Sequence, residues 1–259
     1  MAAEETGPPP HADQAPYVLD ETGDFAVVFK PPRMHCAPLV AGSGGTLLDW
    51  YAEVFPPVLG LCGRKEAEGG LLHRLDFETH GLVLFAKNQK SMDSLLAQQT
   101  EGGFVKEYAA VCRKAGPLPA FPPAGFSADE AIAQGSFAVE SRFRPFGPGR
   151  KQVRPVVANG MGKTAKGADG LYRTEILAVS PAEPCGEVPP GVFRFAARLR
   201  RGFRHQVRCH LAWIGCPILN DPLYGGEAAR GVLALRADGL FFCDPGSGRR
   251  LKYRIPPLE

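Results

Sequence analysis

The run Leu82-Val83-Leu84-Phe85-Ala86 is strand-like and wholly apolar, and it follows a segment that crowds His73, Arg74, Asp76, Glu78, Thr79 and His80 together. Gly81 separates the two. Such a run predicts a buried strand, which only a protein with a covered sheet can accommodate. A buried strand fed by a charged turn is also a rigid element with polar groups held at its end, the arrangement that active sites use. Asp76 is the candidate acid. The competing reading is an ion-paired surface turn ahead of a core strand.

The rest of the chain supplies partners for that strand. Phe25-Ala26-Val27-Val28-Phe29 predicts a second one, ended by Lys30-Pro31-Pro32. Phe104–Cys112, Gly135–Arg144, Leu171–Val179 and Phe193–Arg200 alternate as strands, the last with Arg194, Arg198 and Arg200 on one face. Near the end, VLALRA, LFFCDP and a final LKYRI are strand-like. Short helices are expected over Leu47–Phe55, with Thr46 as cap, and over Ser91–Gln99, capped by Asn88 or Ser91 and stopped by Gly102-Gly103. Thirty-one glycines and 25 prolines fit loops and strands better than a helical bundle. Residues 114–134 show no period and are expected to be a loop insertion. Residues 1–16, polar and Pro-rich, are expected to be a disordered tail. The expected organisation is one domain over 17–259.

Composition excludes more than it identifies. At 44% apolar and 22% charged, the chain reads as an ordinary globular protein. A net charge of +3 permits a nucleic-acid partner without requiring one. The seven cysteines include no C-x-x-C pair, and His205 and His210 have the wrong spacing for one helical face, so no zinc site is expected. No apolar run approaches membrane-spanning length, and MAAEETGPPP is unlike a signal peptide. The expectation is a soluble, cytoplasmic protein that does not engage membranes. GMGKT, Gly160–Thr164, lacks the first glycine of a phosphate-binding loop, because Val157 stands there. Gly147–Arg154 is a basic turn.

A second feature is RGFRHQVRCHLAWIGCPILNDPLYG, Arg201–Gly225. On a helical wheel Phe203, Val207, Leu211 and Ile214 form one apolar stripe, with Arg204 and Arg208 at its edge. Gly215 suits a C-cap and Pro217 prevents continuation.

Together these stretches carry a resemblance. HRLDFETHGL is similar to the catalytic motif of the RluA-type RNA pseudouridine synthases, roughly HRLD-x-x-T-S-G-L, whose aspartate is essential. FVKEYAAV resembles the family's K-x-Y-x-A segment, FAVVFKPP its V-x-x-K-P element, and Arg201–Gly225 its motif R-x-H-Q-I-R-x-H-L followed by G-x-P-I-x-G-D-x-x-Y-G. The resemblance implies an α+β pseudouridine synthase fold, a mixed and mostly antiparallel β-sheet core flanked by helices and loops, with a central RNA-binding cleft. It leaves no room for the S4 RNA-binding domain frequent in the family. It implies conversion of uridine in rRNA or tRNA to pseudouridine, without metal or cofactor, by a protein expected to be a monomer.

By resemblance Asp76 acts at the sugar, as nucleophile or base. Tyr108 meets the uracil, Arg208 supplies the cation that a buried carboxylate requires, and Arg74 fills the space a flipped base leaves. Lys106, Arg200, Arg204, His205 and Gln206 are candidate RNA contacts. Departures fall at Phe77, where a basic residue is common, at His80 in place of serine, at Phe203-Arg204, and at Asn220, Arg236 and Asp244. The other class of reading is an RNA-binding or RNA-folding protein that keeps this fold without catalysis.

Overall fold

The computed structural model describes residues 15–40, 43–116, 118–157, 170–182, 191–225 and 231–256. In chain order the elements are β1 (Tyr17–Glu21), β2 (Phe25–Lys30), α1 (Leu47–Val54), β3 (His80–Ala86), α2 (Gln89–Glu101) and β4 (Val105–Arg113). There follow α3 (Ala128–Gln134), β5 (Phe137–Phe146), β6 (Gln152–Val156), β7 (Tyr172–Pro181) and β8 (Val192–Leu199). The last are α4 (Gln206–Trp213), β9 (Leu235–Cys243) and β10 (Arg250–Arg254). The chain forms two compact units, Met1–Glu107 with Arg236–Glu259, and Tyr108–Leu235. The expected tail, apart from Ala15 and Pro16, and the GMGKT run lie outside the described residues.

In the first unit every residue of β2 and of β3 is buried. The two pair antiparallel from Phe25↔Ala86 to Lys30↔Gly81, β1 adds antiparallel to β2, and β10 adds antiparallel to β9. The exception to this antiparallel pattern is β3 on β9, parallel at His80↔Arg236 and Gly81↔Ala237. Gly81 has φ +122, and a Cβ there would collide with the Ala237 backbone, so this crossing requires glycine. Phe25, Val27, Phe29, Leu82 and Leu84 pack with Leu95, Phe104, Leu240 and Phe242. At about 1.5–3 kcal/mol for each such side chain buried, this cluster is a large part of what orders the unit.

The helices begin and end for local reasons. Thr46 and Asp49 form a reciprocal capping box on α1, at 3.2 and 2.9 Å. Asn88 caps α2 by accepting from the Ser91 N–H at 2.9 Å, and Gly102 at φ 78 stops it. Both caps are the expected ones.

In the second unit β5 pairs antiparallel with β7 along Phe137–Ser141 and with β6 along Arg142–Phe146, and β7 pairs antiparallel with β8. Phe143, Val153, Tyr172, Cys209, Ala212 and Tyr224 form its core, and Phe203 stacks on Phe143 at 5.0 Å. The sheet is mixed and mostly antiparallel, as expected. Three expectations need correction. Residues 128–134, read as loop, are helix α3, closed by a Ser127–Glu130 capping box. The basic turn Gly147–Arg154 gives way at Gln152 to β6. The stretches VLALRA and LFFCDP contribute Leu235–Ala237 and Leu240–Cys243 to one strand, β9, continuous through Gly239. No helix among the described residues is long and apolar enough to cross a membrane.

His210 sits at the centre of the second core, between the Ser141 hydroxyl (2.9 Å) and the Thr174 hydroxyl (2.8 Å). Burial lowers its pKa to about 3, so folding holds it neutral. Its contribution is complete above the unfolded value of about 6.5 and is lost as pH falls from there towards 3, by up to about 1.4 kcal/mol per pH unit. Urea-unfolding midpoints are therefore expected to drop between pH 7 and pH 4, and His210→Gln, though less stable at pH 7, to show a shallower drop.

Candidate active site

The segment from His73 to Thr79 is a loop with both feet on β3. At its entry, the Leu72 N–H donates to the Leu84 carbonyl at 3.0 Å and Leu71 bridges Phe85. At its exit, β3 begins with His80. Between these feet the chain is tied down at intervals. The His73 Nε2 accepts from the Leu84 N–H at 3.3 Å. An acceptor nitrogen carries no proton, so the ring is neutral with its hydrogen on Nδ1, and burial holds its pKa well below the usual value. The Leu75 N–H donates to the Cys36 Sγ at 3.2 Å, and that thiol donates back to the Leu75 carbonyl at 3.5 Å. The Thr79 N–H closes a turn on the Asp76 carbonyl at 3.1 Å.

Lys30 makes the remaining tie. Its ammonium is buried and donates to the carbonyls of Pro31 (2.8 Å), Met34 (2.8 Å) and Phe77 (3.3 Å). Burial pulls its pKa down to about 8 against the opposing pull of Cys36, Asp76 and Glu78. One cation thus holds the 31–34 segment and the Asp76 loop together. The residue-level reading placed Lys30 only as the end of a strand. The available signal was a lysine closing a wholly apolar run just before two prolines.

These ties sort the loop's side chains. His73, Leu75, Thr79 and His80 are buried, Asp76 and Glu78 are half-buried, and Arg74 and Phe77 are exposed. Asp76 is therefore less enclosed than expected. Arg74 pairs with Glu68 at 3.2 Å, and Glu78 pairs with Arg33 at 3.8 Å. His80 is buried and pushed down to about 3 by burial, reinforced by Arg236 and Lys30, so its ring is neutral at neutral pH. Lys106 is buried too, lowered to about 8 by burial and by the Arg64 cation.

In the second unit the Arg201–Gly225 stretch folds as a framework. Helix α4 starts at Gln206, later than its apolar stripe implied, and every one of its residues is buried. Arg208 therefore lies inside, not at an edge. Its Nε and one Nη donate to the two carboxylate oxygens of Asp221, each at 2.8 Å. Asp221 also accepts from the backbone N–H groups of Leu223 (2.9 Å) and Tyr224 (3.1 Å), and Asn220 has φ 59, a conformation that asparagine tolerates better than most non-glycine residues.

Gln206 is buried, and its amide is taken up by the Arg173 carbonyl, the Thr174 hydroxyl and the Phe203 N–H. That placement corrects its reading as an RNA contact, since the amide is spent inside the fold. Arg204 is exposed, with its Nη2 on the carbonyls of Arg150 and Gln152. His205, at φ 56, meets the Tyr224 hydroxyl at 3.2 Å. Arg200 is exposed, and Tyr108 is a buried residue of β4.

The family model for RNA pseudouridylate synthase matches residues 24–213, a span that includes both the Asp76 loop and helix α4. The chain belongs to this family. It is 25% identical over 210 residues to the ribosomal large subunit pseudouridine synthase D of Haemophilus ducreyi, covering 81% of this chain and 53% of that protein. The chain thus spans about half the length of that relative. It is also 25% identical over 241 residues to an uncharacterized RNA pseudouridine synthase of Bacillus subtilis, covering 92% of this chain and 68% of that protein. Among solved structures, human RNA pseudouridylate synthase domain containing 1 superposes with a TM-score of 0.65 at 20% identity, over 96% of this chain and 89% of that one. Human RNA pseudouridylate synthase domain containing 4 gives 0.61 at 16%, over 92% and 87%. These two likenesses establish the fold.

Two measurements check the framework. Asp221→Asn removes the charge facing a buried guanidinium and is expected to cost about 3–5 kcal/mol in urea unfolding. Lys30→Met leaves buried carbonyls without a donor, at about 1–3 kcal/mol. Hydrogen exchange is expected to speed up in the 31–34 and 73–79 segments of that variant, and a rise spread evenly over the protein would contradict a local clamp.

Proposed function

We propose that the protein is an RNA pseudouridine synthase with Asp76 as its catalytic carboxylate. The observation that carries this reading is the coincidence of the family match with a loop that leaves Asp76 partly accessible while the residues around it are anchored to β3, Cys36 and Lys30. The reaction breaks the N1–C1′ bond of a uridine, turns the freed uracil and rejoins it through C5, so atoms and electrons balance within one nucleotide. A carboxylate at the sugar acts there as nucleophile or as base. Taking the base out of its stack costs a few kcal/mol, which RNA contacts must offset.

Tyr108 and Arg208 keep the roles that their motif positions assign, at the uracil and as positive charge for the reacting carboxylate. Arg74, half-exposed and paired with Glu68, is the side chain proposed to fill the vacated space. Arg200, Arg204 and His205 are proposed for phosphate contacts, whereas Lys106, expected among them, is buried like Gln206 and is withdrawn from that set. The relatives' names make large-subunit rRNA the first substrate to try, with tRNA second.

Mapping pseudouridine in total RNA with and without the gene, followed by assay of the purified protein on the RNA so identified, tests this directly. Asp76→Asn is expected to abolish product while RNA binding stays within about threefold, because a neutral isostere loses the chemistry and keeps the contacts. Product formation at an undiminished rate in that variant would remove Asp76 from the mechanism. RNA binding without product in the wild type would favour the non-catalytic reading.

A further inference from the structure

We infer that His35 and Phe77 form a preformed stacking platform for an unpaired RNA base next to the uridine that reacts. The inference rests on the reading of Asp76 as the reacting carboxylate, because Phe77 is its chain neighbour. Phe77 is 40% exposed, although Leu75 and Thr79 on either side of it are buried. A large aromatic ring is left in solvent where the chain buries smaller groups, and core packing does not account for it. His35, half-buried, lies against it with ring centroids 4.6 Å apart and planes 39° apart.

The two rings come from different segments, and both backbones are fixed beneath them. The Lys30 ammonium holds the carbonyls of Met34 and Phe77, next to one ring and at the base of the other. Cys36 and Leu75 are joined by their own pair of hydrogen bonds, and the His35 carbonyl accepts from the Leu47 N–H at 2.9 Å. A surface whose ordering is already complete loses little entropy when a flat ligand lands on it.

The surroundings identify the ligand as a nucleobase in a polyanion. Arg33, two residues before His35, has a side chain 62% exposed. The Arg33 pair with Glu78, long at 3.8 Å and open to solvent on the arginine side, is worth little, so that guanidinium can turn to phosphate. An enzyme that extrudes one base unstacks its neighbour, and an aromatic face replaces the lost stacking whatever the base identity. The preferred substrate is therefore a uridine whose neighbour is unpaired, in a loop or bulge and not inside a continuous duplex.

The test uses a short single-stranded oligoribonucleotide with 2-aminopurine, whose fluorescence falls on stacking, beside a uridine. Binding to the full chain is expected to quench it. Phe77→Leu, which keeps apolar bulk and removes the π-face, is expected to lose the quench and weaken binding by about tenfold, within the range of base–aromatic stacking. His35→Ala is expected to act in the same direction, and unchanged thermal unfolding of Phe77→Leu would show that the fold is intact. Placing an abasic nucleotide beside the uridine should weaken the wild type and leave Phe77→Leu unaffected.

Equal quenching and affinity in wild type and Phe77→Leu would overturn the platform, including the case in which this ring instead docks another protein. The catalytic reading fails separately. A wild type that quenches through Phe77 but forms no pseudouridine keeps the platform and loses the enzyme, and Asp76→Asn should quench as the wild type does.

Discussion

Everything around Asp76 depends on one antiparallel pairing, β2 on β3, buried along its whole length. A strand covered on both faces cannot slide, because a shift of one residue would exchange every side chain between faces. The polar residues at its ends inherit that immobility. Lys30 is the last residue of β2 and lies opposite Gly81 near the start of β3, which is why its ammonium falls beneath the Asp76 loop. The loop is tied to this frame through His73 and Phe77, and to Cys36 through Leu75.

The second motif puts charge inside for a different purpose. Arg208 and Asp221 form a bidentate buried pair, and Asp221 also gathers two backbone N–H groups. Gln206 and His210 spend their polar atoms on β5, β7 and the start of their own helix. Motif residues that look like a binding surface in one dimension thus divide in three. Gln206 and His210 belong to the framework, whereas Arg200 and Arg204 reach solvent.

Legibility followed burial and local chemistry. The apolar runs of β2 and β3 and the Thr46 and Asn88 caps were readable because each is set by neighbouring residues. Helix α3 was missed because its seven residues hold two buried alanines and no apolar stripe, and tertiary contact decides such a case. Strand β6 was hidden by the charge of Lys151 just before it and of Arg154 on one of its less buried positions. Around the proposed site, the depth of Gln206 and Arg208 was not legible. Both lie on a helix buried all round, and a wheel assumes a solvent face.

The route of the chain has its own consequence for synthesis. The first unit takes β1 to β3 from one end of the sequence and most of β9 and all of β10 from the other, with the whole second unit between. On a ribosome, β3 is made long before the strand that pairs with it in parallel at His80 and Gly81. Until then it presents an apolar open edge, the kind of surface that invites aggregation and chaperone capture. Closing such a distant pair is slow. Yield from a cell should therefore respond to elongation rate and chaperone supply, and a permuted chain that brings β9 and β10 ahead of β1 would shorten the wait.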